Sequence, residues 1–206
     1  MRALTQTYGR PFSRNGVPFA GRTDRAIVSD LIVANDLPPN EVAPGLQAVF
    51  AALPELMLAE TQLTPSVAYP GVQALLERLR TQGHLLGLLT GNLRTTAGIK
   101  LASAGIDPAQ FQVGAFGDES TDRNALPPLA LDRASRLAGE PVTTAVVVGD
   151  TPGDIVCALA NGLRAVAVAT GPFSVDQLQE YGPEALLPNF SDLAAAMHAL
   201  IGCSLQ

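Results

Sequence analysis

Cysteine is scarce in this sequence, which limits the kinds of site that the chain can hold. The 206 residues include two cysteines, Cys157 and Cys203, which lie far apart. They form neither a Cys-x-x-Cys motif nor the closely spaced set of a disulfide-rich protein. The pattern predicts neither a disulfide framework nor a zinc site, and it favours the cytoplasm as the compartment.

Charge is also scarce, at 16% of residues, and the formal net charge is −6 with no cluster of basic residues. A negative surface repels nucleic-acid phosphates and anionic lipids, so we expect no nucleic acid and no membrane as a partner. The N-terminus lacks the apolar segment of a signal peptide, and no apolar run reaches the length needed to span a bilayer. Composition favours a compact soluble protein and leaves its oligomeric state open.

The first third of the chain is predicted to be helical. Residues 1–65 contain apolar residues at helical spacing and no convincing strand. Thr23 or Asp24 is a suitable N-cap for one of these helices, and residues 42–63 form a further helical region that we expect to break near Pro54. Helices of this length can form a small bundle.

From residue 66 onward, short apolar strands alternate with helices. This alternation predicts a doubly wound α/β core with a parallel sheet. The segment 145–149 is made of small or β-branched residues and a glycine, so we expect a strand buried on both faces. The predicted strands cover residues 84–89, 111–116, 145–149 and 165–169, and the last predicted helix covers residues 193–201.

Two acidic residues follow the strand at 145–149. Open α/β sheets bind ligands beyond the carboxyl ends of their strands, which is where Asp150 lies. Asp154 comes four residues later, at the entry to an apolar helix. Two carboxylates at the mouth of a crevice suit Mg²⁺. The alternative is that Asp154 only caps the helix and Asp150 only ends the strand.

Two further loops at predicted strand ends carry groups that bind anions. Thr90 and Gly91 offer a hydroxyl and exposed backbone N–H groups, and Arg123 offers a guanidinium that can bind phosphate through two hydrogen bonds. Taken singly, Thr90 could be a helix N-cap, and Arg123 could be a surface charge paired with Asp122. Because the carboxyl ends of parallel strands share one edge, we expect the three loops to meet and form a phosphate site.

These motifs resemble those of the haloacid dehalogenase-like (HAD) phosphohydrolases, and within them the phosphoglycolate phosphatase-like group. The resemblance covers nearly the whole chain. Its matching segments are residues 69–72 (Tyr-Pro-Gly-Val), 88–92 (Leu-Leu-Thr-Gly-Asn), 148–154 (Val-Gly-Asp-Thr-Pro-Gly-Asp), 21–24 (Gly-Arg-Thr-Asp) and 189–193 (Asn-Phe-Ser-Asp-Leu).

The resemblance implies a role for each matching site residue. Thr90 would bind the transferring phosphoryl group, with Gly91 and Asn92 placing backbone donors around it. Asp150 would bind Mg²⁺ directly, and Asp154 would do so through water or hold the neighbouring cation. The implied activity is Mg²⁺-dependent hydrolysis of a small phosphomonoester similar to phosphoglycolate.

The resemblance also implies a catalytic cation and two domains. The third motif of the family normally carries a lysine; Arg123 is the candidate here, whereas Lys100 is expected on the solvated surface of a helix. Residues 1–65 would form a helical cap, incomplete at its N-terminus, and residues 66–206 the α/β core. The cap would select the substrate through side chains such as Arg14, Arg22 and Arg25, with Arg22 as the substrate-binding candidate.

The first motif of the family is absent from this sequence. That motif is a strand ending in Asp-x-Asp, whose first aspartate attacks phosphorus and whose second protonates the leaving group, and the 206 residues contain no Asp-x-Asp. We therefore expect the chain as given to be inactive. The missing strand would lie between the strands at 85–89 and 145–149, so we expect a gap there. Each buried unpaired backbone group costs about 1–3 kcal/mol, so poor folding follows unless the gap is filled or closed.

Three interpretations follow from this absence. The true start could lie upstream, which would make the full protein a phosphatase acting through an aspartyl-phosphate. The chain could be a truncated or degenerate member that binds phosphate or a metabolite without catalysis. It could also be an unrelated α/β protein such as a receiver-like signalling domain, which the cap segment disfavours. Upstream in-frame codons for an apolar strand ending in Asp-x-Asp would establish the first interpretation, and an in-frame stop would support the second.

Overall fold

The computed structural model of the chain describes residues 1–202, and these residues form two compact units. The helical unit is defined by residues 1–67, 90–108 and 116–123, and the sheet unit by residues 68–89, 109–115 and 124–206, of which 203–206 lie outside the described part. The predicted domain boundary between residues 65 and 66 stays a prediction. The division into two units differs from it mainly in assigning residues 90–108 and 116–123 to the helical unit.

The elements are numbered in chain order. The helices are α1 (Arg2–Tyr8), α2 (Asp24–Ala34), α3 (Val42–Leu63), α4 (Val72–Thr81), α5 (Arg94–Ser103), α6 (Leu126–Ala138), α7 (Pro152–Leu159), α8 (Val175–Gln179) and α9 (Leu193–Ile201). The strands are β1 (Gly87–Leu89), β2 (Val113–Ala115), β3 (Val146–Gly149), β4 (Arg164–Val168) and β5 (Ala185–Leu187). Short 3-10 turns cover Pro39–Glu41, Pro108–Gln110 and Arg123–Ala125.

The helical unit packs α1, α2 and α3 around one apolar cluster. Thr23 caps α2 as predicted, because its Oγ1 accepts a hydrogen bond from the Ala26 N–H at 3.2 Å. The break predicted near Pro54 is absent, since α3 continues through that residue. The buried members of the cluster are Ala3, Leu4, Val17, Val28, Leu31, Ile32, Leu46 and Val49.

Helix α3 also bears on the membrane prediction. Residues Pro39–Leu63 form a helical stretch that is long and apolar enough, by length and composition alone, to cross a membrane. The prediction that no apolar run reaches this length is therefore wrong. The stretch is weak evidence for a membrane segment, because the core helix of a soluble protein can pass the same test.

The sheet unit confirms the predicted α/β architecture with parallel strands. β1 pairs with β2, and β3, β4 and β5 form a second parallel sheet in that order. Along β4 the side chains alternate between two faces. Val166 and Val168 pack in a cluster with residues of α4 and α9, whereas Ala165 and Ala167 pack with residues of α7 and α8. Helices therefore cover both faces of this sheet.

Within the described residues, β1 and β3 are not neighbours in a sheet, and each forms an edge strand. This agrees with the gap expected between them. The burial predicted for the segment 145–149 is wrong in part, because Val148 of β3 is 40% exposed. The reason is that β3 has a strand partner, β4, on one side only.

Two segments that carry the family resemblance lie side by side in the sheet unit. Gly71 has a left-handed backbone (φ 86°) at the start of α4, and a Cβ on it would overlap the Phe190 carbonyl. Glycine is therefore required there both by conformation and by space. The segment 69–72 is thus held against the segment 189–193.

The remaining sequence predictions concern the C-terminal part and the cysteines. The helix predicted at 193–201 is confirmed as α9, whereas β5 was not predicted. Cys157 is buried and free, and Cys203 lies outside the described residues.

Candidate active site

The loop between β1 and α5, residues 90–93, is held by its own side chains. Thr90 Oγ1 accepts two hydrogen bonds, one from the Asn92 backbone N–H at 3.1 Å and one from Asn92 Nδ2 at 2.9 Å. Short turns of this kind form because a Thr hydroxyl can accept from the backbone two residues later. The Asn92 N–H therefore has an internal partner in this structure. Its role as a phosphate donor stays a prediction.

A helix of the N-terminal segment holds the same loop from the other side. The backbone N–H of Asp24, at the start of α2, donates to the Gly91 carbonyl at 2.6 Å, and Asp24 Oδ2 accepts from the Leu93 N–H at 2.9 Å. Next along the chain, the Arg25 N–H donates to the Gly117 carbonyl at 3.0 Å. The first residues of α2 therefore fix two loops at once. The sequence pattern indicated Asp24 only as a possible helix cap.

Arg123 lies at the Thr90 loop, as predicted. A Cβ placed on Gly91 would lie 3.1 Å from Arg123 Nη1 and 2.9 Å from the Arg22 carbonyl carbon. Only glycine fits between these groups, which explains its place in the motif. Arg123 is half-buried. The structure thus places the Arg123 guanidinium against the residue that follows Thr90.

Lys100 is part of this cluster, which corrects its predicted place on the solvated surface. It is half-buried on α5, and its Nζ donates to Asn92 Oδ1 at 2.6 Å. Sequence periodicity alone could not find this contact, because it depends on how the loop folds back toward the helix that follows it.

The electrostatic setting of the loop is visible at Asp24. Burial raises the pKa of the Asp24 carboxyl above its ordinary value of 3.8, and the negative charge of Asp118 adds to this effect. The hydrogen bond from the Leu93 N–H and the positive charge of Lys100 act in the opposite direction. Burial is the largest of these causes, so the carboxyl is held in a poorly solvated position.

Arg22, predicted to bind substrate, has its guanidinium engaged nearby. Its Nη2 forms an ion pair with Asp30 at 2.6 Å, and Asp30 is half exposed. Arg14 and Arg25, the other candidates, contact the Val17 carbonyl and the Asp118 carbonyl through their Nε atoms, at 2.8 Å and 2.9 Å. The substrate-binding role of Arg22 stays a prediction, and its ion pair with Asp30 would have to open or bend for it.

The two predicted metal ligands lie in the sheet unit, after β3. Asp154 is buried and belongs to a capping box at the start of α7, where its Oδ2 accepts from the Thr151 N–H at 3.0 Å and from Thr151 Oγ1 at 2.7 Å. A Cβ on Gly149 would overlap the Asp154 carboxyl group. The capping role weighed for Asp154 is thus present, and its role at a cation stays a prediction.

Asp150 is placed by a second glycine. A Cβ on Gly171, in the turn after β4, would overlap Asp150 Oδ2 and lie 2.8 Å from its Cγ. In residues 1–202 there is no group of three or more His, Cys, Asp or Glu side chains that could hold a metal ion. One or two carboxylates with water and ligand oxygens are, however, the usual donors for Mg²⁺, so this pair fits that ion. The meeting of these acids with the Thr90 loop remains a prediction.

Comparison with known proteins supports the family resemblance. Residues 123–193 match the model of the HAD-hydrolase-like family. The chain is related to the HAD-like hydrolases. Among curated relatives, the probable phosphatase IndB of Dickeya dadantii is 32% identical over 68% of this chain and 60% of its own length. A phosphoglycolate phosphatase of Mesorhizobium japonicum is 27% identical over 63% and 56%. The resemblance to HAD-like phosphatases is confirmed.

Solved structures show the same HAD-like fold. CbbY from Rhodobacter sphaeroides, crystallised in complex with phosphate, matches with a TM-score of 0.66 at 18% identity, over 93% of this chain and 87% of that one. This confirms the predicted fold class. The chain spans only about three-fifths of the curated relatives named above.

Proposed function

We propose that the chain belongs to a magnesium-dependent phosphohydrolase that acts on a small phosphomonoester, of which phosphoglycolate is the model. The observation that carries the proposal is the position of Arg123 Nη1 beside Gly91, the residue that follows Thr90. A guanidinium and a hydroxyl on one loop bind a phosphoryl group by charge and by directed hydrogen bonds. The phosphatase names of the relatives support the same reaction class.

Within this proposal, Thr90 and Arg123 act on the phosphoryl oxygens. The Thr90 hydroxyl donates to one oxygen, and Arg123 neutralises the charge that develops on the group as the bond to the leaving oxygen breaks. Gly91 permits the close approach of the oxyanion to the backbone. Asn92 contributes indirectly by fixing Thr90.

Asp150 and Asp154 are the residues that would hold magnesium. Asp150 would bind the ion directly, and Asp154, whose Oδ2 is engaged by Thr151, would act through a water molecule. When bound, Mg²⁺ neutralises phosphoryl charge and aligns the group for attack. The close contact of Asp150 with Gly171 supports this assignment, because it limits where the carboxylate can lie.

The remaining assignments follow the chemistry of a small-metabolite enzyme. The partner would be a small phosphorylated metabolite, with Arg22 and neighbouring cap residues selecting its organic part. The acidic composition supports a cytoplasmic protein without a nucleic-acid or membrane partner.

A second candidate is a protein that binds phosphate or a phosphorylated metabolite without hydrolysing it. The absence of Asp-x-Asp from the 206 residues favours this function for the chain as given. In HAD-like phosphatases of the kind that this chain resembles, that motif supplies the nucleophile, and Asp150 cannot supply it while it binds the metal.

Phosphate binding and turnover, measured on the same 206-residue sample, test both candidates. By calorimetry we expect inorganic phosphate to bind, and Arg123→Gln to weaken binding about 10- to 100-fold, since a charged hydrogen bond is lost. Arg136→Gln, which removes an exposed cation of α6, serves as the control. With a panel of phosphomonoesters and Mg²⁺ we expect no phosphate release.

Each outcome has a distinct meaning. Robust release of phosphate would show that the inference from the missing Asp-x-Asp is wrong, and it would support the phosphatase if Asp150→Ala or excess chelator abolished it. If phosphate did not bind, or bound equally well to Arg123→Gln, the proposed anion site would be refuted.

A further inference from the structure

Lys100 is the only lysine in the 206-residue sequence. Its side chain is half-buried and contacts Asn92, in the loop 90–93 that we propose binds phosphate. Its Nζ lies 2.6 Å from Asn92 Oδ1, on the side of the amide opposite to Thr90. A positive charge placed half-buried on a helix is costly to desolvate unless a partner compensates it. The position of Lys100 therefore calls for a role beyond surface solubility.

The contact fixes the orientation of the Asn92 amide. An ammonium group has three donors and no acceptor, so the Asn92 atom facing Lys100 must be the oxygen. The amide nitrogen then faces Thr90, where Nδ2 donates to Oγ1 at 2.9 Å. The usual ambiguity between the two ends of an asparagine amide is thereby removed.

The orientation of Asn92 determines what Thr90 can offer to a ligand. A hydroxyl oxygen has two lone pairs and one O–H donor. Both lone pairs of Thr90 Oγ1 are taken, by the Asn92 N–H at 3.1 Å and by Asn92 Nδ2. The remaining capacity of the hydroxyl is its proton, so Thr90 can only donate to a further group.

We propose that Lys100 is a positioning residue, which holds the Asn92 amide so that the Thr90 hydroxyl is committed to donating a hydrogen bond to an anionic ligand of the phosphate class. The inference rests on the proposed function, because it concerns the same anion site. Lys100 lies outside the motif at residues 88–92, and its contact with Asn92 determines that the Thr90 hydroxyl donates to the ligand. Because the Thr90 hydroxyl can only donate, the site accepts oxyanions and discriminates against ligands that present only hydrogen-bond donors.

Asp24 also anchors this loop. Its Oδ2 accepts from the Leu93 N–H and its N–H donates to the Gly91 carbonyl, so both chain neighbours of Asn92 are held. The charge of Lys100 also favours the ionised form of Asp24. Lys100 and Asp24 together stabilise the loop conformation in which Asn92 reaches Thr90.

The test is a double-mutant cycle on phosphate affinity, measured by calorimetry with the 206-residue chain. Lys100→Met removes the donor and the charge, and we expect about tenfold weaker binding of inorganic phosphate, the effect of about one hydrogen bond. Lys100→Arg keeps a donor and a charge, and we expect it to restore affinity to within about threefold. Arg136→Met is the matched control for losing one cation, since Arg136 is exposed and pairs with Asp132.

The decisive step repeats Lys100→Met in a Thr90→Val background. If Lys100 acts through Thr90, its loss has no further effect once the hydroxyl is gone. Equal losses in both backgrounds would mean that Lys100 acts through its charge alone, and they would overturn the inference. An unchanged affinity in Lys100→Met would overturn it as well.

A second variant keeps the test valid if Lys100→Met does not fold. Asn92→Ala removes the amide through which Lys100 acts without adding a charge, so we expect it to lose affinity in the Thr90 background and not in Thr90→Val. Equal losses in both backgrounds would contradict the inference. Failure of the unmodified chain to bind phosphate would instead refute the proposed function, and the inference with it.

Discussion

The carboxylate of Asp150 lies directly against Gly171, three residues beyond the end of β4 at Val168. A Cβ on Gly171 would overlap Asp150 Oδ2 and lie 2.8 Å from its Cγ. The absence of a side chain at one residue thus decides where the carboxylate of another can lie.

Gly171→Ala should therefore displace Asp150 and weaken metal binding. We expect the affinity for Mg²⁺ or Mn²⁺ to fall about tenfold or more, because ligand geometry is disturbed while the charge remains. Calorimetry with either ion measures the change. Gly98→Ala on α5 is the control, since a Cβ there meets no other atom within 4 Å. If Gly171→Ala binds metal as well as the unmodified chain, Gly171 does not position the metal ligand.

Asp150→Ala and Thr151→Ala should separate metal binding from helix capping. Asp150→Ala should abolish binding of Mg²⁺, since the directly coordinating carboxylate is lost. Thr151→Ala removes the hydroxyl partner of Asp154 and should lower the free energy of unfolding by about 0.5–2 kcal/mol. Metal titration and urea denaturation, carried out on both variants, check the two effects. Loss of metal binding in Thr151→Ala but not in Asp150→Ala would reverse the assignments.

Gly91→Ala should damage the phosphate loop through space alone. A Cβ there would lie 2.9 Å from the Arg22 carbonyl carbon and 3.1 Å from Arg123 Nη1, so the backbone or the guanidinium must move. We expect a loss of about 1–3 kcal/mol in stability, typical of overpacking, together with weaker phosphate binding. Urea denaturation and calorimetry measure these effects. A fully stable variant with normal phosphate affinity would show that the loop does not need glycine.

The raised pKa of Asp24 should make stability depend on pH. The folded chain holds this proton more tightly than the unfolded chain, so the associated stability is present below the ordinary pKa of 3.8 and is lost as the pH rises through the raised folded value. Asp24→Asn removes this titration but keeps an oxygen that can accept from the Leu93 N–H. The free energy of unfolding of the unmodified chain, minus that of Asp24→Asn, should therefore fall as the pH rises. A difference that grows with pH would contradict the assigned direction.

Much of the fold was predictable from local signals. The alternation of strands and helices after residue 66 predicted the parallel α/β core, and Thr23 marked the start of α2. The strand β5 was missed because its apolar run is only three residues long and lies between prolines, which is too short for a periodicity to show. Its status as a strand depends on pairing with β4, which is a tertiary fact.

The residue types of the site were predictable, but the hydrogen bonds between its residues were not. Motif spacing placed Thr90 and Arg123 at one loop cluster, since each follows a recognisable strand. The roles of Lys100 and Asp24 depend on how the loop 90–93 turns back toward α5 and α2, and no local pattern encodes that turn. Contacts from side chains on neighbouring helices can be identified only once the positions of those helices are known.

The two edge strands β1 and β3 have a practical consequence for handling the chain. Each has hydrogen-bonding groups along one side that no strand of the described residues covers, and Val148 on β3 is substantially exposed. Open edges of this kind act as templates for pairing between molecules. Concentrated solutions of the 206-residue chain should therefore self-associate, and a soluble peptide of alternating apolar and polar residues should compete with that self-association.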